Sequence, residues 1–167
     1  AWVLNILKNE KIGGNLIDIA CGSGRHVKAL HNSFCITAVD YNQEALNFLS
    51  ELNNVKTIFY NLEESNEWPF ILEKYKIVLV TNYLYRERLI DLFKMVDKGG
   101  LIVYETFSSG NEMYGKPSNP KYLLKTDELL INKPDNFEVV DYFCGEIDHP
   151  KKAIIQRLAA RRLSISN

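Results

Sequence analysis

The stretch Asp18-Ile19-Ala20-Cys21-Gly22-Ser23-Gly24-Arg25-His26 decides how the rest of this 167-residue chain is read. It joins a compact apolar run, Leu16 to Ala20 with Asp18 as its one acid, to a segment from Ser23 to His31 that reads as a helix. Ala20, Gly22 and Gly24 keep the turn free of bulky side chains, so that backbone can approach a ligand closely. The helix that follows offers free N–H groups and the positive end of its dipole. Asp40 closes the next apolar run, Cys35 to Val39, about 20 residues beyond Asp18, where an acid can accept hydrogen bonds from both hydroxyls of a ribose. Acid, glycine turn, helix and second acid agree in register as a nucleotide-type cofactor site. The plainer alternative is a glycine-rich turn that holds nothing.

Outward from this motif, apolar strands alternate with amphipathic helices. Trp2 to Asn9 reads as a short helix ended at Gly13-Gly14, and Asn42 caps a helix running to about Leu52. Strands follow at Val55 to Tyr60 and Ile77 to Thr81, then a helix from Arg86 to Val96 that Gly99-Gly100 terminates, then a strand from Leu101 to Phe107. Such alternation predicts right-handed crossovers and a mainly parallel sheet covered by helices on both faces. The C-terminal part differs. After a Gly/Pro/Ser/Asn-rich loop, Ser108 to Asn119, and a helix from Thr126 to about Asn132, Phe137 to Phe143 and Ala153 to Leu163 read as two strands with no helix between. They predict an antiparallel hairpin, giving seven strands in one α/β domain over 1–167.

Hydrophobic residues make up 46% and charged residues 25%, ordinary for a globular chain, and the formal net charge of −1 argues against binding nucleic acid by overall charge. Lys151, Lys152, Arg157, Arg161 and Arg162 crowd the C-terminal end and read as the solvated face of a terminal strand. No apolar run is long enough to span a bilayer, and no signal peptide is seen. The chain begins Ala1-Trp2 without Met, consistent with a trimmed start. Cys21, Cys35 and Cys144 form no CxxC pair and no ligand spacing with His26, His31 or His149, so no metal site is expected. An odd count of unpaired thiols predicts a reducing, cytoplasmic setting.

Two cofactors suit the turn. A dinucleotide site requires G-x-G-x-x-G, but the third position here is the β-branched Val27, and Asp18 is poorly placed for a pyrophosphate. S-adenosylmethionine carries a sulfonium, an ammonium and a carboxylate. An acid near the loop suits the cations and the N–H groups suit the carboxylate. On the motif DIACGSGRH, followed by AVD ending at Asp40, the chain resembles the class I S-adenosylmethionine-dependent methyltransferases. The stretches TNYLYR (81–86), KGGLIVYETF (98–107) and GNEMYGKPSNPKYLL (110–124) look like the small bacterial branch near the tellurite-resistance methyltransferases. The resemblance covers nearly the whole chain and implies a Rossmann-like fold. It also implies that Asp18, Ala20, Gly22 and Gly24 line the methionine moiety of S-adenosyl-L-methionine, that Asp40 meets the ribose, and that Asn61 and Leu62 flank the adenine. Ala20 departs from a position where the family often has glycine, and Asn61 from one that often carries Asp.

Methyl transfer from a sulfonium is an in-line displacement with a neutral leaving group, so the chain need show no catalytic residue. The catalytic assignment is therefore left open. Ligands in open α/β sheets sit beyond the C-terminal strand ends. The polar residues expected there are Asn82, Tyr83, Tyr85, Arg86 and Glu105, with Thr106. Asn82-Tyr83-Leu84-Tyr85 bears a partial likeness to the N-P-P-Y motif of amino-methylating enzymes, without its prolines. Arg86 reads as either a helix surface charge or a contact to an anionic substrate. His26, early in the helix after the glycine turn, reads as helix surface, with an approach to cofactor or substrate as the alternative. The loop 108–121 reads as a lid, with Asn111, Glu112, Tyr114 and Lys116 as substrate contacts. The expected function is methylation of a small-molecule or inorganic acceptor, with S-adenosyl-L-homocysteine as coproduct. The alternatives are a nicotinamide-dependent oxidoreductase and a non-catalytic S-adenosylmethionine-binding partner protein.

Overall fold

In the computed structural model, which describes residues 2–64 and 66–164, the glycine turn links strand β1 (Asn15–Ile19) to helix α2 (Arg25–Leu30), behind an entry helix α1 (Trp2–Leu7). Strand β2 (Cys35–Asp40), helix α3 (Gln43–Leu49) and strand β3 (Val55–Phe59) follow. Asn42 caps α3 as its sequence predicts, its side chain accepting from the Ala45 N–H at 3.1 Å. Beyond β4 (Tyr75–Thr81) come α4 (Leu89–Lys94), β5 (Val96–Phe107), α5 (Glu128–Asn132), β6 (Phe137–Ile147) and β7 (Ala153–Arg162).

The seven strands hydrogen-bond in the order β3-β2-β1-β4-β5-β7-β6. The first five in this order are parallel, and β7 runs antiparallel to both β5 and β6. The Rossmann-like sheet with its C-terminal hairpin is therefore as expected. The apolar alternation of the strands divides the interior in two. One face packs Leu16, Ile36, Ile77, Leu79, Leu101 and Val103 against α1, α2 and α3. The other packs Ile17, Val78, Val80, Ile102 and Tyr104 against α4, α5 and the aromatic segment around Trp68 and Phe70. No helix among the described residues is long and apolar enough to cross a membrane.

One boundary differs from its sequence reading. The helix expected over 86–96 is a 3₁₀ turn, Arg86–Arg88, followed by a short α4, and Gly99-Gly100 lie inside β5 instead of ending a helix. The cause is the register of β4 and β5. Val96 pairs with Tyr75, a bulge intervenes, and Leu101 pairs with Ile77. The chain thus re-enters the sheet earlier than its helical pattern suggests. The bulge brings backbone very close to Gly100, whose added Cβ would stand 2.8 Å from the Lys76 carbonyl oxygen and 2.9 Å from that of Asp97. Gly100→Ala is expected to lower stability by about 1–3 kcal/mol, read as a fall in Tm. An unchanged Tm would show that these carbonyls are free to give way.

Candidate functional site

The loop after β1 is built from left-handed backbone. Ala20, Gly22 and Gly24 all have positive φ, at 59°, 58° and 83°. Ala20 thus holds the conformation that a glycine would adopt without strain, which costs an L-residue about 1–2 kcal/mol. The two glycines do different work. Nothing lies within 4 Å of a Cβ built on Gly22, so the space beside it is open. A Cβ on Gly24 would overlap the buried Leu49 side chain of α3. Gly24 is therefore also required by helix packing, a demand its sequence reading did not include.

Asp40 locks this loop. Its Oδ2 accepts from the Gly22 N–H at 2.8 Å, and its Oδ1 accepts from the Tyr41 and Asn42 N–H groups at 2.8 and 2.9 Å. Asp18 is 1% exposed, and its Oδ1 is buried with no hydrogen-bond partner. Burial, reinforced by the Asp40 carboxylate and opposed by Arg25, raises the Asp18 carboxyl to about 8. An orphaned carboxyl oxygen costs about 1–3 kcal/mol, so the site is unfinished without a cation or donor beside it. The other buried side-chain atom without a partner among the described residues is the Tyr83 hydroxyl, whose ionisation burial and nearby acids, Asp40 included, disfavour. Burial together with Asp18 also pushes the Cys21 thiol up, keeping it protonated.

The remaining candidates separate on inspection. Asn61 accepts from the Glu63 N–H at 3.0 Å and shapes a turn, while Leu62 is buried and its carbonyl accepts from Trp68 Nε1 at 2.9 Å. Asn82 is exposed, with φ 53°, and its N–H donates to the Glu105 carbonyl at 2.8 Å. Tyr85 is half-buried just before the 3₁₀ turn. Arg86 is consumed by structure. Its guanidinium donates to both oxygens of Glu128 at 2.8 and 2.9 Å and to the carbonyls of Pro120, Lys121 and Leu123. That clamp, with Asn111 donating to the Pro117 carbonyl at 3.0 Å and accepting from the Ile154 N–H at 3.1 Å, ties the loop expected to be a lid to β4, α5 and β7.

Two residues placed elsewhere by the sequence reading stand beside the site. His26 is 7% exposed instead of lying on a helix surface, and burial together with Arg25 lowers its imidazole to about 4, so it is neutral at pH 7. Arg157 leaves the basic C-terminal crowd and pairs with Glu105 across β5 and β7, Nε to Oε2 at 2.5 Å. The crowd is thus no single solvated face: Arg161 pairs with Glu10 at 2.9 Å, and Arg162 donates to the Val96 carbonyl. The signal for Arg157 was Glu105 itself, an acid in an apolar strand that needs a partner. Among the described residues no group of three His, Cys, Asp or Glu is placed to hold a metal ion.

The two loop glycines can be told apart by stability. Gly22→Ala meets only its positive φ, whereas Gly24→Ala adds a core overlap worth about 1–3 kcal/mol. Gly24→Ala is expected to lower Tm clearly more than Gly22→Ala in thermal denaturation. Equal losses would mean that Leu49 repacks without cost.

No family model matches the chain, and no curated protein matches it. Solved structures do. TehB from Haemophilus influenzae is 21% identical, with a TM-score of 0.76 over 96% of this chain and 61% of TehB, so the chain spans about three fifths of that protein. A S-adenosylmethionine-dependent methyltransferase from Methanosarcina mazei is 15% identical, with a TM-score of 0.71 over 95% of this chain and 97% of its own. The N-methyltransferase NodS from Bradyrhizobium japonicum WM9, solved with S-adenosyl-L-homocysteine, is 14% identical, with a TM-score of 0.71 over 96% of this chain and 83% of NodS. Strand order, terminal hairpin and loop position together give this chain the fold of the class I S-adenosylmethionine-dependent methyltransferases.

Proposed function

We propose that the chain binds S-adenosyl-L-methionine at the β1 loop and transfers its methyl group to a small-molecule acceptor. The observation that carries this reading is the buried, partnerless Asp18 oxygen beside the open space at Gly22. A cationic ligand answers the first and a backbone-hugging one fills the second. In this reading Asp18 neutralises the ammonium end, the loop at Ala20 and Gly22 lies along the methionine chain, and Asp40 faces the ribose while still holding the Gly22 N–H. Asn61 and Leu62 flank the adenine, and Tyr83 gives its hydroxyl a partner. Gly24 sets the helix start at the end of the methionine moiety. When bound, the cofactor supplies an electrophilic methyl whose displacement leaves a neutral thioether. The protein's share is then alignment, worth on the order of 7–11 kcal/mol in favourable cases. Glu105 and Arg157 lie on the acceptor side, with Asn82 and Tyr85 at its rim. Free thiols and a near-neutral net charge support a cytoplasmic enzyme that acts on small molecules and not on nucleic acid.

Calorimetry with S-adenosyl-L-methionine, S-adenosyl-L-homocysteine and NAD tests the cofactor, and NAD binding alone would sink the reading in favour of an oxidoreductase. Release of S-adenosyl-L-homocysteine over an acceptor panel then separates an enzyme from a binding protein. Because Asp18 holds its proton to about 8 in the free protein, pairing with an ammonium ionises it. Binding at pH 7 should therefore release about one proton, measured as a dependence of the calorimetric heat on buffer ionisation enthalpy. Asp18→Asn should abolish that release, and a release unchanged in this variant would remove Asp18 from the site. Asp40→Ala should weaken S-adenosyl-L-homocysteine binding by about 1.5–3 kcal/mol. Wild-type affinity in the folded variant would refute the ribose assignment.

A further inference from the structure

Arg157 is held on three sides and open on the fourth. Its Nε donates to Glu105, and its guanidinium lies 5.6 Å from the ring centre of Trp2 and 5.9 Å from that of Phe143. Trp2 is itself fixed, its Nε1 donating to Asp141 on β6 at 2.7 Å. Yet no partner among the described residues takes Nη1 or Nη2 of Arg157, although the side chain is only 23% exposed. Arg86 differs at each point, since its donors reach Glu128 and three carbonyls. A guanidinium gripped by aromatic rings with its Nη edge free is a pre-oriented fork for a carboxylate.

Its place in the sheet puts this fork beside the methyl-donor site. Asp18 aligns with Leu79, and Leu79 with Val103, so Asp18 and Val103 project to one face of the sheet. Glu105, opposite Arg157, is the next residue along β5 on that face. Two strand spacings and one such step put Glu105 about 12 Å from Asp18, a separation that leaves room for a donor and an acceptor side by side. One step further is Phe107, which with Pro117 and Tyr122 lines a cavity of 510 Å³. Lys116 is the charged group in that lining. A cationic handle for an anion and an apolar, partly aromatic wall thus adjoin each other.

We propose that the methyl acceptor is a small organic carboxylate, its carboxyl group held by the free Nη edge of Arg157 and its apolar body seated against Phe107 and Tyr122. This rests on the methyltransferase reading for the word acceptor, but the binding claim stands apart from it. Glu105 already balances the single charge of Arg157, so the bound carboxylate is held chiefly by directed hydrogen bonds from the free Nη edge.

The test titrates the intact protein with benzoate, phenylacetate and cinnamate, and with the neutral amide of each, with and without saturating S-adenosyl-L-homocysteine, by calorimetry. The acids are expected to bind at least about tenfold tighter than their amides. Arg157→Gln should erase that preference while S-adenosyl-L-homocysteine affinity stays within about twofold, and Arg157→Lys, which keeps the charge but not the fork, should restore only part of it. Circular dichroism of both variants checks that the fold is kept. Equal binding of acids and amides, no binding of the acids, or a preference that survives Arg157→Gln would each overturn the proposal. Inorganic sulfate binding as tightly as the acids would overturn its apolar half. If S-adenosyl-L-homocysteine itself fails to bind, the cofactor reading falls while the acid–amide comparison, run without it, still decides this one.

Discussion

Asp40 accepts three backbone N–H groups with one carboxylate, and the candidate site depends on that arrangement. One of the donors, Gly22, belongs to a different strand's loop, so the bond fastens the C-terminal ends of β1 and β2 to each other. It holds the loop in its left-handed path, in which Ala20 is strained and Gly22 faces open space. The path in turn sets the start of α2, which buries His26 and Val27. A charged acceptor can satisfy several amides at once because the hydrogen bonds it receives are stronger than neutral ones. The open space beside Gly22 is thus held by backbone hydrogen bonds, and order set in advance lowers the cost of binding at any site.

Two arginines, Arg86 and Arg157, show how context divides a residue type. Arg86 spends its donors on Glu128 and on the carbonyls of a loop that would otherwise lack partners, and it fixes that loop to the body of the fold. Arg157 spends one donor and keeps the rest. The burial of Asp18 follows the same logic with the sign reversed: a buried carboxyl oxygen without a partner is unfavourable to the fold, and such costs gather at functional sites.

Most of the fold was legible because its signals are local. The β1 loop, the Asn42 cap and the alternation of strand and helix follow from spacing, and the terminal hairpin follows from two strand-like runs with no helix between them. What was not legible depended on register. That Val96 returns to the sheet beside Tyr75 is a property of the β4–β5 pairing. Nothing near Gly100 announces the carbonyls that crowd it. The candidate site divides in the same way. Asp18, Gly22 and Asp40 sit close in sequence and meet in space, whereas Arg157 reaches Glu105 only because β7 inserts beside β5. The packing demand on Gly24 was not legible because it comes from Leu49, a residue on the next helix.

The position of β7 between β5 and β6 bears on how the chain is assembled. The strand that completes the sheet beside β5 is the last one in the sequence, and β6, made before it, has no neighbour in the sheet until β7 arrives. The bonds from Trp2 to Asp141 and from Glu10 to Arg161 likewise join segments 139 and 151 residues apart. During synthesis, β1 to β5 can pair in order, but the apolar flank of β5 must wait for the final strand. Long-range closure of this kind slows folding and leaves a sheet edge exposed to wrong partners in the interval. The nascent chain is therefore more vulnerable to aggregation in the interval after β6 and before β7 emerges.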